Sequence, residues 1–151
     1  DALPILAAAG SLVMLFGFGG LAFAIKSRQL VKRLGEVGLL RYGALVMALS
    51  MVTIAYGPAW WVALPASFLF GLGFYMMHNT LQINATQMAP ERRGAAVASF
   101  ASCFFLGQSA GVAAGGALLA SVGTSHLLAA AGVGVLLIGG RFARLRAARQ
   151  A

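Results

Sequence analysis

His78, Asn79, Gln82 and Tyr75 are the residues of this sequence whose types and spacing suit chemistry. At 100° per residue, Gly71, Tyr75, His78, Gln82 and Thr86 fall within an arc of about 80°, with Asn79 beside it. His78 is the titratable side chain with strongly apolar flanks, and an imidazole changes charge near neutral pH. A histidine among amides and a phenol can pass a proton or hold a polar solute by hydrogen bonds. The plainer alternative is that His78 and Asn79 hydrogen-bond neighbouring helices. Asn84 falls on the opposite face and receives no role, and His126 stands at a helix end, where an interfacial role is expected.

Other chemistries find no support in the sequence. The three acidic residues, Asp1, Glu36 and Glu91, lie in polar stretches, so no Ser-His-Asp set can assemble among the apolar runs. No glycine-rich phosphate loop precedes a lysine, and no spacing of His, Cys and acidic residues suits a metal. An enzyme, a cofactor and a metal are therefore not expected. Cys103, the single cysteine, sits in an apolar run and is read as a small buried side chain without a redox role.

The elements that must position these residues follow from composition. Of 151 residues, 60% are hydrophobic and 9% charged, far from the roughly one-quarter charged of soluble domains. The apolar runs also exceed the length a soluble core helix needs. The expected fold class is an all-α membrane protein with five transmembrane helices in a single bundle over 1–151, and its first partner is the lipid bilayer. The net charge of +8 would invite a nucleic-acid reading in a soluble chain, but here the basic residues flank hydrophobic segments. No nucleic-acid partner is expected.

The spans are predicted at about 3–25, 39–57, 61–88, 95–122 and 126–142, with a basic cytoplasmic loop at 26–38 and a cytoplasmic tail at 143–151. Tyr56-Gly57-Pro58 ends the second span, Trp60-Trp61 marks an interface, and Pro90 with its charged neighbours separates the third from the fourth. Every basic residue falls at one side: Lys26, Arg28, Lys32, Arg33 and Arg41; Arg92 and Arg93; Arg141, Arg144, Arg146 and Arg149. The positive-inside rule then puts the amino end outside and the carboxyl end in the cytoplasm. On the fourth span Gly107, Gly111 and Gly115 recur every four residues with Gly116 adjacent, a small-residue stripe along which another helix can approach closely.

From Trp60 to Gly116 the chain resembles the carboxyl-terminal half of a major facilitator superfamily transporter of the bacterial proton-coupled efflux type. Lys32-Arg33-Leu34-Gly35-Glu36 resembles the weaker copy of the family's G-x-L-A-D-R-x-G-R-R loop, although Arg28 replaces its first glycine and Lys32 its aspartate. Met88-Ala89-Pro90-Glu91-Arg92-Arg93-Gly94-Ala95 resembles the short cytoplasmic turn before the fifth or eleventh helix. Gly107-x-x-x-Gly111-Val112-x-x-Gly115-Gly116 resembles the antiporter motif G-x-x-x-G-P-x-x-G-G, with Val112 in place of proline.

The resemblance implies a partial carboxyl-terminal bundle, helices eight to twelve, in a bacterial inner membrane. It implies that helix seven and the amino-terminal half are missing from this chain, whose first residue is not Met, and that the chain alone does not transport. In the whole protein it implies proton-coupled export of a small organic molecule or drug by alternating access. His78, Asn79, Gln82 and Tyr75 would then line the pathway for substrate and protons, and the glycine stripe would form a sliding interface. Lys32, Arg33, Gly35, Arg92, Arg93 and Gly94 would form the cytoplasmic gate loops. The rival from another class is a small non-transporting membrane scaffold or assembly subunit; an oligomeric channel is disfavoured because no span carries a filter-like ring of acidic or carbonyl groups.

Overall fold

A computed structural model describes residues 3–150, with side-chain surroundings for 6–148. Four long helices carry the chain: α1 (Leu3–Tyr56), α2 (Ala63–Met88), α3 (Arg93–Val122) and α4 (Thr124–Gln150). The predicted Asp1 on the outer side lies outside the described residues, as does the Arg149 side chain.

Each boundary has a local cause. Gly57 and Pro58 stop α1, and a 3₁₀ turn, Trp60–Val62, feeds α2, with the Val62 N–H donating to the Ala59 carbonyl at 3.1 Å. Pro65 then falls in the first turn of α2, where its missing N–H leaves no bond unmade. Pro90 opens a second 3₁₀ turn, Pro90–Arg92, before α3. Gly123 ends α3 at φ 80°, a left-handed backbone that favours glycine, and its N–H donates to the Leu119 carbonyl at 3.0 Å.

The sequence predicts five spans, whereas the structure has four helices long and apolar enough to cross a membrane. The difference lies at 26–38, read above as a loop. These residues are helical except at Gly35, where φ 63° and ψ 179° break the α-helical path. Strong helix formers fill the stretch, and Leu30 and Leu34 continue the apolar face of Phe23, packing on Phe23, Leu39 and Met76. The tail read at 143–151 is likewise helical to Gln150.

The break at Gly35 reverses the chain. Phe16 meets Gly71 and Gly20 meets Tyr75, so the first arm of α1, 3–34, runs parallel to α2. Gly43 and Met47 meet Gly73 while Glu36 meets Asn84, so the second arm, 36–56, runs antiparallel to it. Both arms thus lie side by side along the same helix. α4 runs antiparallel to the second arm, with Gly132 against Ala48, Gly139 against Leu40 and Ala44, and Arg146 beside Glu36.

Close approach rests on glycine. A Cβ at Gly43 would stand 2.9 Å from the Gly73 carbonyl oxygen, and one at Gly73 would stand 2.8 Å from the Gly43 carbonyl oxygen. At Gly19 and Gly71 a Cβ would collide with the carbonyls of Phe68 and Phe16 respectively. Without a hydrophobic force between helices in lipid, such backbone-level packing is a main source of association. α3 differs, since none of its described residues is buried. Cys103, expected to be buried, is therefore exposed on it, because α3 touches the bundle along one narrow edge only.

The outer surface is covered with bare apolar side chains, among them Val13, Leu49, Leu106, Val112, Leu137 and Ile138. Four helices of this length and apolarity make a multi-pass membrane protein, with hydrocarbon rather than water against those side chains.

Candidate functional site

The polar stripe of α2 divides between two neighbours. Its first half packs: Gly71 is buried against Phe16, and the Tyr75 ring lies over Gly20 and 6.0 Å from the Phe16 ring. In its second half, His78 turns to the aromatic rings of α3. The His78 ring stacks on Phe74 at 5.2 Å and 15°, stands edge-on to Phe104 at 4.8 Å, and lies 5.4 Å from Phe100. Phe74 in turn contacts Phe16 at 5.5 Å. One imidazole is thus held by rings from two helices, α2 and α3, with Phe16 of α1 behind Phe74.

This geometry follows from helical spacing. Phe74 and His78 are one turn apart on α2, as are Phe100 and Phe104 on α3, so the two pairs face each other across the α2–α3 hairpin. Aromatic pairs of this kind add about 0.5–1.5 kcal/mol each beyond the area they cover. The rings fix the plane of the imidazole without occupying its nitrogens. Asn79 and Gln82 are half-buried on the same side. The side-chain hydrogen bonds of α2 belong instead to Thr80, Asn84 and Thr86, leaving His78, Asn79 and Gln82 without one among the described residues. The arrangement can donate and accept protons and hydrogen bonds at the helix surface.

The glycine stripe of α3 is open. A Cβ at Gly107, Gly111, Gly115 or Gly116 would meet no atom within 4 Å among the described residues. Of the predicted gate residues, Lys32, Arg33, Arg92, Arg93 and Gly94 are all exposed at the basic end, and Gly35 is the chain reversal itself. The structure brings His78, Asn79 and Gln82 together on one side of α2 and leaves the other two groups apart from them.

A second polar cluster escaped sequence reasoning. The Arg146 guanidinium donates from Nη2 and Nε to Glu36 Oε2 at 2.7 and 3.2 Å, and the buried Asn84 amide donates to the same oxygen at 3.4 Å and to the Thr80 carbonyl at 2.7 Å. The residue after the reversal is thereby tied to α2 and α4 at once. With both charged side chains about a quarter exposed, the pair is worth about 1 kcal/mol, above a fully wet pair and below a dry one. Two signals pointed to it: Glu36 is the lone acid within a basic stretch, and Arg146 continues the stripe Gly132, Gly139, Ala143 on the packed face of α4.

No group of three or more metal-ligating side chains occurs among the described residues. A bundle of long apolar helices with one reversed pair, a polar patch in mid-helix and a basic end suits a multi-pass membrane protein, and comparison with protein families gives its family. The model of the MFS_1 like family matches residues 6–130. The chain belongs to that family. Membership of the major facilitator superfamily supports a transporter-type function. No curated protein and no solved structure matches the chain.

Proposed function

We propose that this MFS_1 like chain forms helices eight to twelve of a secondary transporter that exports a small organic molecule in exchange for protons by alternating access. The arms of α1 supply two crossings joined at Gly35, which with α2, α3 and α4 makes five. In this reading the basic ends face the cytoplasm of a bacterial inner membrane, following the charge distribution. An amino-terminal half packs on the open side of α2 and α3, and the substrate passes between the halves near the midplane.

The observation that carries this reading is His78, clamped by Phe74, Phe100 and Phe104 with no hydrogen-bond partner among the described residues, beside the half-buried Asn79 and Gln82. His78 is the proton or substrate group, Asn79, Gln82 and Tyr75 bind substrate, and Gly107, Gly111, Gly115 and Gly116 form the sliding face. Lys32, Arg33, Arg92, Arg93 and Gly94 close the cytoplasmic side about the Gly35 reversal.

The test is proton-coupled flux of the full-length protein in proteoliposomes. His78→Ala is expected to lower flux by about 10²-fold, within the range for losing a positioned proton-transfer group, and to flatten its pH dependence. Unchanged flux with an unchanged pH profile removes His78 from the mechanism. His78→Gln, which keeps the hydrogen bonds and not the charge, is expected to retain binding and lose coupling.

A further inference from the structure

The outer face of α4 carries charge that the bundle does not use. Gly132, Gly139 and Ala143 are buried against the second arm of α1, and Arg146 leaves that face for Glu36. Opposite them, Leu136, Leu137, Gly140, Arg141, Arg144 and Leu145 line a depression of about 710 Å³. Arg141 and Arg144 are exposed there and form no ion pair among the described residues; the Glu36 carboxylate is taken by Arg146. Arg41 is also exposed and follows Leu40, whose carbonyl faces Gly139, so a third guanidinium stands at the same height.

Two features define the ligand. The polar groups of the depression are guanidiniums, planar forks that match phosphate oxygens. Its walls are leucines, continued toward mid-helix by the exposed Val133 and Ile138. A free phosphate uses the forks and ignores the leucines, whereas a zwitterionic lipid sets its own cation against them. An acyl-bearing molecule with a net negative head satisfies both.

We propose that this face binds an anionic glycerophospholipid, its phosphate between Arg141 and Arg144 and its acyl chains along Leu136, Leu137 and Val133. The inference rests on the membrane-spanning reading of α4. Each basic residue at an anionic lipid surface multiplies affinity about fivefold, so the pair is expected to contribute about 25-fold.

The experiment uses the full-length protein in detergent, with phosphatidylglycerol or phosphatidylcholine titrated in and bound lipid counted by native mass spectrometry. The intact protein is expected to hold phosphatidylglycerol in preference, and R141Q/R144Q to bind it about 25-fold more weakly. R141K/R144K is expected to bind it more tightly than R141Q/R144Q, and K26Q/R28Q, at exposed basic positions elsewhere, to match the intact protein. Equal binding by R141Q/R144Q, equal binding of phosphatidylcholine, or displacement by millimolar inorganic phosphate each overturns the site. Carbonate washing of the source membranes separates the two claims: a chain that stays in the pellet yet shows no lipid preference sinks the lipid site alone, and a chain that washes off sinks both.

Discussion

Gly71→Val is expected to cost about 3 kcal/mol or more in folding stability, at or beyond the upper end of overpacking penalties. The clash is with the Phe16 carbonyl, which belongs to a helix backbone and has no rotamer through which to yield. Relief requires the first arm of α1 to move off α2, and that movement also strips the Tyr75 ring from Gly20 and Phe16 from its aromatic neighbours. The measurement is the midpoint of unfolding in a mixed-detergent titration, with Gly107→Val as the comparison. A Cβ at Gly107 meets nothing, so that variant is expected to unfold with the intact chain. Equal midpoints for Gly71→Val and Gly107→Val contradict the packing described.

Gly35→Val is expected to be nearly as damaging for a different reason. No atom crowds Gly35, but its φ of 63° with ψ of 179° belongs to a region that side chains bar almost completely. The cost is about 3 kcal/mol for the β-branched residue and about 1–2 kcal/mol for Gly35→Ala, read by the same titration. The chain can escape that strain by letting the arms run on as one straight helix, which pulls Glu36 from Arg146 and Asn84. A stable Gly35→Val protein with its Glu36–Arg146 pair intact contradicts the reversal.

Much of this architecture was legible in the sequence because lipid imposes few solutions. Charge-free runs with Pro58 and Pro90 located the α1–α2 and α2–α3 junctions, and the bounds 95–122 and 126–142 the α3–α4 junction, within a few residues of where the helices end. The stretch 26–38 was misread because its lysines and arginines suggested a solvated loop. The Phe23, Leu30, Leu34 stripe beneath them holds a helix, and only Gly35 interrupts it. Charge reports where the bilayer stops, not where a helix stops, and the first arm at about 48 Å is longer than the roughly 30 Å hydrocarbon core.

For the candidate site, the wheel grouped residues that the fold divides between two neighbours. Gly71 and Tyr75 lie on the same stripe as His78, yet they meet the first arm of α1, a neighbour no period could name. The aromatic clamp of His78 depends on Phe100 and Phe104 from α3, and the Glu36–Asn84–Arg146 cluster draws on three helices. Such groupings are set by the order of packing. The glycines of α3 invited a close-packing role that Gly19, Gly43, Gly71 and Gly73 perform inside this chain.

The central claim is that the first helix turns back on itself and crosses the bilayer twice, with the basic residues on one side. In a Cys103→Ala background, single cysteines at Gln29, Pro58, Glu91 and Thr124 are labelled from either face of sealed vesicles by a membrane-impermeant maleimide. On the proposed topology, thiols at 58 and 124 are expected to react from one face, and those at 29 and 91 only from the opposite, cytoplasmic, face. Reaction of the thiols at 29 and 58 from the same face would contradict the account.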